Sequence, residues 1–226
     1  MRMALVMMIV LVGLLAGRPV SAAETPLVVL ILGDSLSAGY GLRAGEAWPD
    51  LLQARVQSLG YPARIVNASV SGETTSGGLS RLPALLEAHQ PRVVVVELGA
   101  NDGLRGLPLQ EMKTNLRAIV SASRRIDASV VLIPMRMPPN YGPAYATGFA
   151  QVYEALPGEF GRVSLTPFFL KDVALNPALM QADGLHPKAE AQGLMLDAVW
   201  YTLAPVLAQT SQVTPGHSVV NAARVR

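Results

Sequence analysis

Apolar residues along this chain fall into two rhythms. Short stretches rich in Val, Ile and Leu, at Leu27 to Leu32, Ala63 to Val66, Arg92 to Leu98 and Ser129 to Ile133, read as strands, with Arg162 to Leu165 as a weaker fifth. Between them, apolar residues recur at helical spacing from Trp48 to Leu59, Gly78 to Ala88, Leu109 to Arg125, Tyr145 to Leu156 and Lys188 to Leu207, with Gly or Pro near the ends. Strands that are apolar throughout predict burial on both faces. Strand and helix in alternation predict an α/β fold, a three-layer α/β/α sandwich around a parallel sheet.

The common flavodoxin-like order of such a doubly wound sheet sets strand one between strands two and three, and ligands bind beyond the carboxyl ends beside that switch point. The segments leaving those three strands, Gly33 to Gly41, Asn67 to Gly77 and Gly99 to Gly106, are the most glycine-rich and polar of the chain. Polar loops scattered at random would not share one sheet edge, so their convergence marks a candidate site.

The first residues follow neither rhythm. Arg2, an apolar run from Met3 to Gly17, Arg18 and the small residues Val20-Ser21-Ala22-Ala23 have the outline of a signal peptide, cleaved after Ala22 or Ala23. The run is shorter than the roughly 20 apolar residues a spanning helix needs, so no stable membrane anchor is expected. This segment holds two of the 18 basic residues and none of the 16 acidic ones, so the remainder is formally neutral and predicts no nucleic-acid partner. An exported chain without cysteine has no disulfide and no thiolate metal site, and three histidines make a metal centre improbable. Residues 24 to 208 read as one domain, and the small, polar stretch from Gln209 to Arg226 as a tail.

Candidate chemistry starts at Gly33-Asp34-Ser35-Leu36-Ser37, where strand one ends. A serine there can simply cap the next turn; it becomes a candidate nucleophile only with a base in reach. Asp183-Gly184-Leu185-His186-Pro187 supplies one. Acid and imidazole three positions apart in one turn can face the same way, one ring nitrogen held by the carboxylate and the other free to take the serine proton. Pro187 suits the first position of the helix that follows. His89 and His217 have no comparable partner and are assigned to structure or solvent. Acyl transfer also needs fixed donors for the developing oxyanion, and Gly72 and Asn101 sit where these belong. Singly, Gly72 could serve a turn and Asn101 close an Asx-turn. Asp34 and Asp102 are assigned to hydrogen bonding within their loops. Asn67-Ala68-Ser69 matches a glycosylation acceptor, but its place at the end of a buried strand favours a structural role.

These blocks, Gly-Asp-Ser-Leu-Ser-Ala-Gly-Tyr-Gly around Ser35, Asn-Ala-Ser-Val-Ser-Gly-Glu-Thr-Thr around Gly72, Glu-Leu-Gly-Ala-Asn-Asp-Gly-Leu-Arg-Gly around Asn101 and Asp-Gly-Leu-His-Pro, stand in the order of the SGNH, or GDSL, hydrolases, which the chain resembles from about Leu27 to about Leu207. Ala47-Trp48-Pro49, Arg81-Leu82-Pro83-Ala84-Leu85-Leu86 and Met137-Pro138-Pro139-Asn140-Tyr141-Gly142 resemble the bacterial periplasmic thioesterase, lysophospholipase and arylesterase branch. The resemblance implies a five-stranded parallel sheet, no cofactor, a Ser35, His186 and Asp183 triad, and an oxyanion hole of the Ser35 and Gly72 backbone amides with the Asn101 side chain. It implies small-molecule acyl esters and thioesters as substrates. Glu73, where the branch is expected to carry aspartate, and the long tail depart from the pattern.

Two other functions compete. A non-catalytic exported binding protein of the same fold is disfavoured by the lack of any phosphate-cradling loop. A carbohydrate acetylesterase is disfavoured by an aromatic content of only 5%, since sugar sites present aromatic platforms. The stretches from Leu104 to Leu109 and Met135 to Tyr141 are apolar and proline-rich, suited to an acyl chain. A monomer is expected.

Overall fold

Five parallel strands carry the chain in the order β2-β1-β3-β4-β5 in the computed structural model, which describes residues 26–211. The strands are β1 (Leu27–Gly33), β2 (Ala63–Asn67), β3 (Val93–Glu97), β4 (Ser129–Leu132) and β5 (Val163–Leu165). The chain steps outward from β1 to β2 and then reverses across β1 to β3, β4 and β5. Because crossovers of parallel strands are right-handed, that reversal puts the first connecting helix on one face and the later ones on the other. Accordingly α2 (Trp48–Ser58) packs with the last helix, α8 (Gln192–Ser211), while α3 (Thr75–His89), α5 (Leu109–Arg125) and α6 (Pro143–Glu154) form the opposite layer.

The core lies between these layers. α5 buries Met112, Leu116, Ile119 and Val120, one stripe of an otherwise polar helix, and α2 buries Trp48, Leu52 and Val56. β1, β3 and β4 are buried almost throughout, as their sequences require. β2 differs from expectation: it is an edge strand with Arg64 and Asn67 exposed and the rest half-buried. Its apolar side chains cover one flank only, because no strand lies beyond it.

Three short helices escape the sequence reading: α1 (Ser35–Ala38), α4 (Ala100–Leu104) and α7 (Leu156–Glu159). The first two lie inside segments read as loops. α3 begins at Thr75, three residues earlier than its periodicity suggests, because Thr74 caps it by accepting from the Gly77 N–H. α8 begins at Gln192 after a 3-10 turn over Ala189–Ala191 and runs to Ser211, past the start assigned to the tail. The leader and the remaining tail, with His217, lie outside the described residues. Among those described, no helix is long and apolar enough to cross a membrane.

Candidate active site

Ser35 stands at the first position of α1, directly after β1. Asp34 caps this turn, its Oδ1 accepting from the Leu36 N–H at 3.0 Å, and Gly39 closes it in the left-handed conformation at φ 76°. The turn is tight because Gly33 lacks a side chain: a Cβ there would lie 2.8 Å from Ser37 Cβ and 2.9 Å from Glu97 Oε2. Ser35 is thereby lifted to the carboxyl edge of the sheet, half-buried.

His186 reaches it from the far end of the sequence, Nε2 lying 2.9 Å from Ser35 Oγ. Its Nδ1 lies 2.6 Å from Asp183 Oδ2, while Asp183 Oδ1 accepts from the N–H groups of Leu185 at 2.9 Å and His186 at 3.0 Å. The hydrogen bond from the His186 ring, reinforced by these two backbone donors, holds the Asp183 carboxyl down at about 2. Asp183 and His186 therefore belong to one self-supporting turn, as their spacing predicts.

Pro187 does not open a helix. It pairs with Met180 in an antiparallel bridge, with the Gln181 N–H donating to the His186 carbonyl and the Lys188 N–H to the Leu179 carbonyl, both at 2.7 Å. A closed loop from Met180 to Pro187 thus presents the imidazole. Gln181 bolts it to the nucleophile side: its Nε2 donates to the carbonyls of Tyr40 at 2.8 Å and Pro187 at 3.1 Å. The Tyr40 ring lies against the His186 ring with centroids 4.4 Å apart.

The other two loops are pinned as firmly. Gly72 has φ 79°, a conformation that favours glycine, and its carbonyl accepts from Arg105 Nη2 at 2.8 Å. Arg81 braces the same loop, donating to Glu73 at 2.7 Å and to the Ala68 carbonyl at 2.9 Å. Asn101 closes no Asx-turn; its Nδ2 donates to Asp34 Oδ2 at 3.1 Å, joining the loop after β3 to the nucleophile turn. Asp102 accepts from Thr75 N–H and Oγ1, a loop-bonding role like that of Asp34. Asn67 is exposed rather than buried, yet structural: its Nδ2 donates to the Ser37 carbonyl at 2.8 Å. His89 ends α3, away from these groups.

Of the stretches expected to serve an acyl chain, Met135 and Met137 turn into the core. Leu104 and Tyr141 stay on the surface, joined where the Tyr141 hydroxyl donates to the Leu104 carbonyl at 3.4 Å. Gln181, Tyr40, Arg105 and Glu97 were not singled out from sequence. Only Glu97, an acid closing a run of four valines, left a readable signal.

The GDSL-like lipase/acylhydrolase family model matches residues 31–194. The chain is 46% identical over 187 residues to "Esterase TesA" of Pseudomonas aeruginosa, covering 83% of this chain and 91% of the relative. It is 47% identical over 187 residues to "Thioesterase 1/protease 1/lysophospholipase L1" of Escherichia coli, covering 83% and 86%. Among solved structures, the psychrotrophic esterase EstA from Pseudoalteromonas, inhibited by monoethylphosphonate, superposes with a TM-score of 0.76 at 43% identity, over 80% of this chain and 98% of that one. With the sheet order, the serine turn and this likeness in agreement, the chain belongs to the GDSL-like lipase/acylhydrolase family and is an ester hydrolase.

Proposed function

We propose that this protein is an exported serine hydrolase that cleaves carboxylic esters and thioesters of small acyl donors through an acyl-enzyme intermediate. The observation that carries this reading is the relay of Ser35 Oγ, His186 and Asp183 at 2.9 and 2.6 Å. His186 Nε2 accepts the Ser35 proton as Oγ attacks the acyl carbon. Asp183 fixes the tautomer and offsets the imidazolium charge. His186 then returns the proton to the departing alcohol or thiol, and water repeats the sequence to release the acid. The Ser35 N–H, at the first turn of α1, has no partner within that helix, which suits it to the oxyanion together with the Gly72 N–H and the Asn101 amide. Export rests on the leader read in the sequence.

The names of the relatives support this substrate class, and the surface apolar residue Leu104 favours an acyl chain over a sugar. A series of p-nitrophenyl and CoA esters from acetyl to palmitoyl, assayed before and after a fluorophosphonate, tests it. Turnover of both classes, abolished by the probe, is expected. Turnover confined to acetylated sugars would transfer the assignment to a carbohydrate esterase; none at all would leave a binding protein.

Asn101 is the donor most easily removed. Asn101→Ala should lower kcat by about a hundredfold or more with KM little changed, since the bond tightens only in the transition state. Melting temperature and active-site titration on one preparation decide the matter: a destabilised variant with normal turnover per titrated serine takes Asn101 out of the mechanism.

A further inference from the structure

β3 carries four valines and then an acid that no part of the mechanism above uses. Glu97 is fully buried. Its Oε2 accepts from Ser37 Oγ at 2.7 Å and from the Asp34 N–H at 3.2 Å, whereas Oε1 has no donor. The Asp34 carboxyl, buried as well, adjoins that of Glu97, close enough that each shifts the other's protonation. Ionised carboxylates only accept, so a bond between the two needs a proton on one of them. Asp34 already has a donor on each oxygen, Leu36 N–H on Oδ1 and Asn101 Nδ2 on Oδ2, which favour its charged form. Glu97 has one oxygen without a donor. The proton belongs to Glu97.

Building on the reading of Asn101 as an oxyanion donor, we propose that Glu97 is a positioning residue. It holds a proton beneath the nucleophile turn and donates it to Asp34, which stays ionised and aims the Asn101 amide. Burial, and then the Asp34 charge, push the Glu97 carboxyl well above the usual range. Burial also raises Asp34, to about 6, against the pull of Leu36, Glu97, Asn101 and His186. Tyr153 faces the pair from α6, donating to the Leu98 carbonyl at 2.8 Å, and its own hydroxyl is raised by burial, Glu97, Asp102 and Asp34. Among the described residues no lysine or arginine bonds to these groups, so the cluster tolerates one negative charge, which His186 faces as it becomes imidazolium. A second would oppose the oxyanion.

Both acids are raised on folding, so their contribution to stability is complete at pH values below the ordinary carboxylate range. It is lost as pH rises through about 6 for Asp34, and higher for Glu97. Infrared spectra, pH profiles of kcat and melting curves of the full chain, as wild type, Glu97→Gln and Glu97→Ala, test this. The Gln variant should lose a protonated-carboxyl band present in wild type at neutral pH, and its melting temperature should fall less as pH rises. Glu97→Ala should lose about tenfold or more in kcat, and Gln, which restores an acceptor for Ser37 and a donor for Asp34, should recover most of it. An unchanged band, or a folded Gln variant as slow as Ala, overturns the proposal. If Ala fails to fold, the band and the Gln profile still decide. Should Asn101→Ala prove fully active, the oxyanion reading fails while the band remains, so the two failures are distinguishable.

Discussion

Ser35→Ala is expected to abolish turnover, with kcat/KM falling by about 10⁵-fold or more, while the melting temperature should stay within a degree or two of wild type. The size follows from the proposed mechanism, which loses its attacking atom: what remains is a polarised carbonyl with only bulk water to attack it. The small structural cost follows from the geometry. Among the described residues Ser35 Oγ bonds to His186 alone, whereas the α1 turn is held by Asp34 and Gly39 through other atoms. Intact mass after fluorophosphonate treatment should show one adduct on the wild type and none on the variant. A variant that still labels would move the nucleophile elsewhere, and one that fails to fold would show that the hydroxyl braces the turn.

Asp183→Asn should cost about 10⁴-fold in kcat with the fold intact. Asp183 Oδ1 accepts from two backbone N–H groups, and the amide oxygen of asparagine can keep both. Oδ2 is then replaced by an NH₂ group, a donor facing His186 Nδ1. The ring must answer by placing its proton on Nε2, which then points a donor at Ser35 Oγ where an acceptor is required. Paired with His186→Ala, the asparagine change should add almost nothing, because an acid that acts only through the imidazole has no role once the imidazole is gone. Stopped assays at several pH values on the two single variants and the double variant check this. Losses that multiply would give Asp183 a separate task, such as holding the Met180 to Pro187 loop shut.

What the sequence made legible was of two kinds. Long helices and buried strands announce themselves through repetition: the stripe of Met112, Leu116, Ile119 and Val120 on α5 is visible before any coordinates. Ser35, Gly72, Asn101, Asp183 and His186 stand out as candidates through residue type at the end of such elements, since few side chains can attack, relay a proton or vacate space for substrate. The rest leaves little local trace. α1 and α4, with four and five residues, are too short to show a helical period. Pro187 in a bridge and Pro187 opening a helix look alike, because the difference lies in what Met180 does across the loop. Gln181 acts on a carbonyl 141 positions away, and nothing near it in the chain hints at the partner. The edge position of β2 depends on the order in which strands assemble, which its own five residues do not encode.

Gly33 and Glu97 are register partners on β1 and β3, and that pairing bears on how the chain finds its fold. Four consecutive valines facing Val29, Leu30, Ile31 and Leu32 could slide by a residue with little loss of apolar contact, so the hydrophobic runs alone specify alignment weakly. The acid at the end of the run removes the degeneracy. Shifted by one, its side chain turns to the other face of the sheet, away from Ser37 and the Asp34 N–H and into hydrocarbon, a placement that costs several kilocalories per mole. Misaligned sheets are thereby penalised while the chain is still assembling, and a chain that passes this check has already set the Ser35 turn in place.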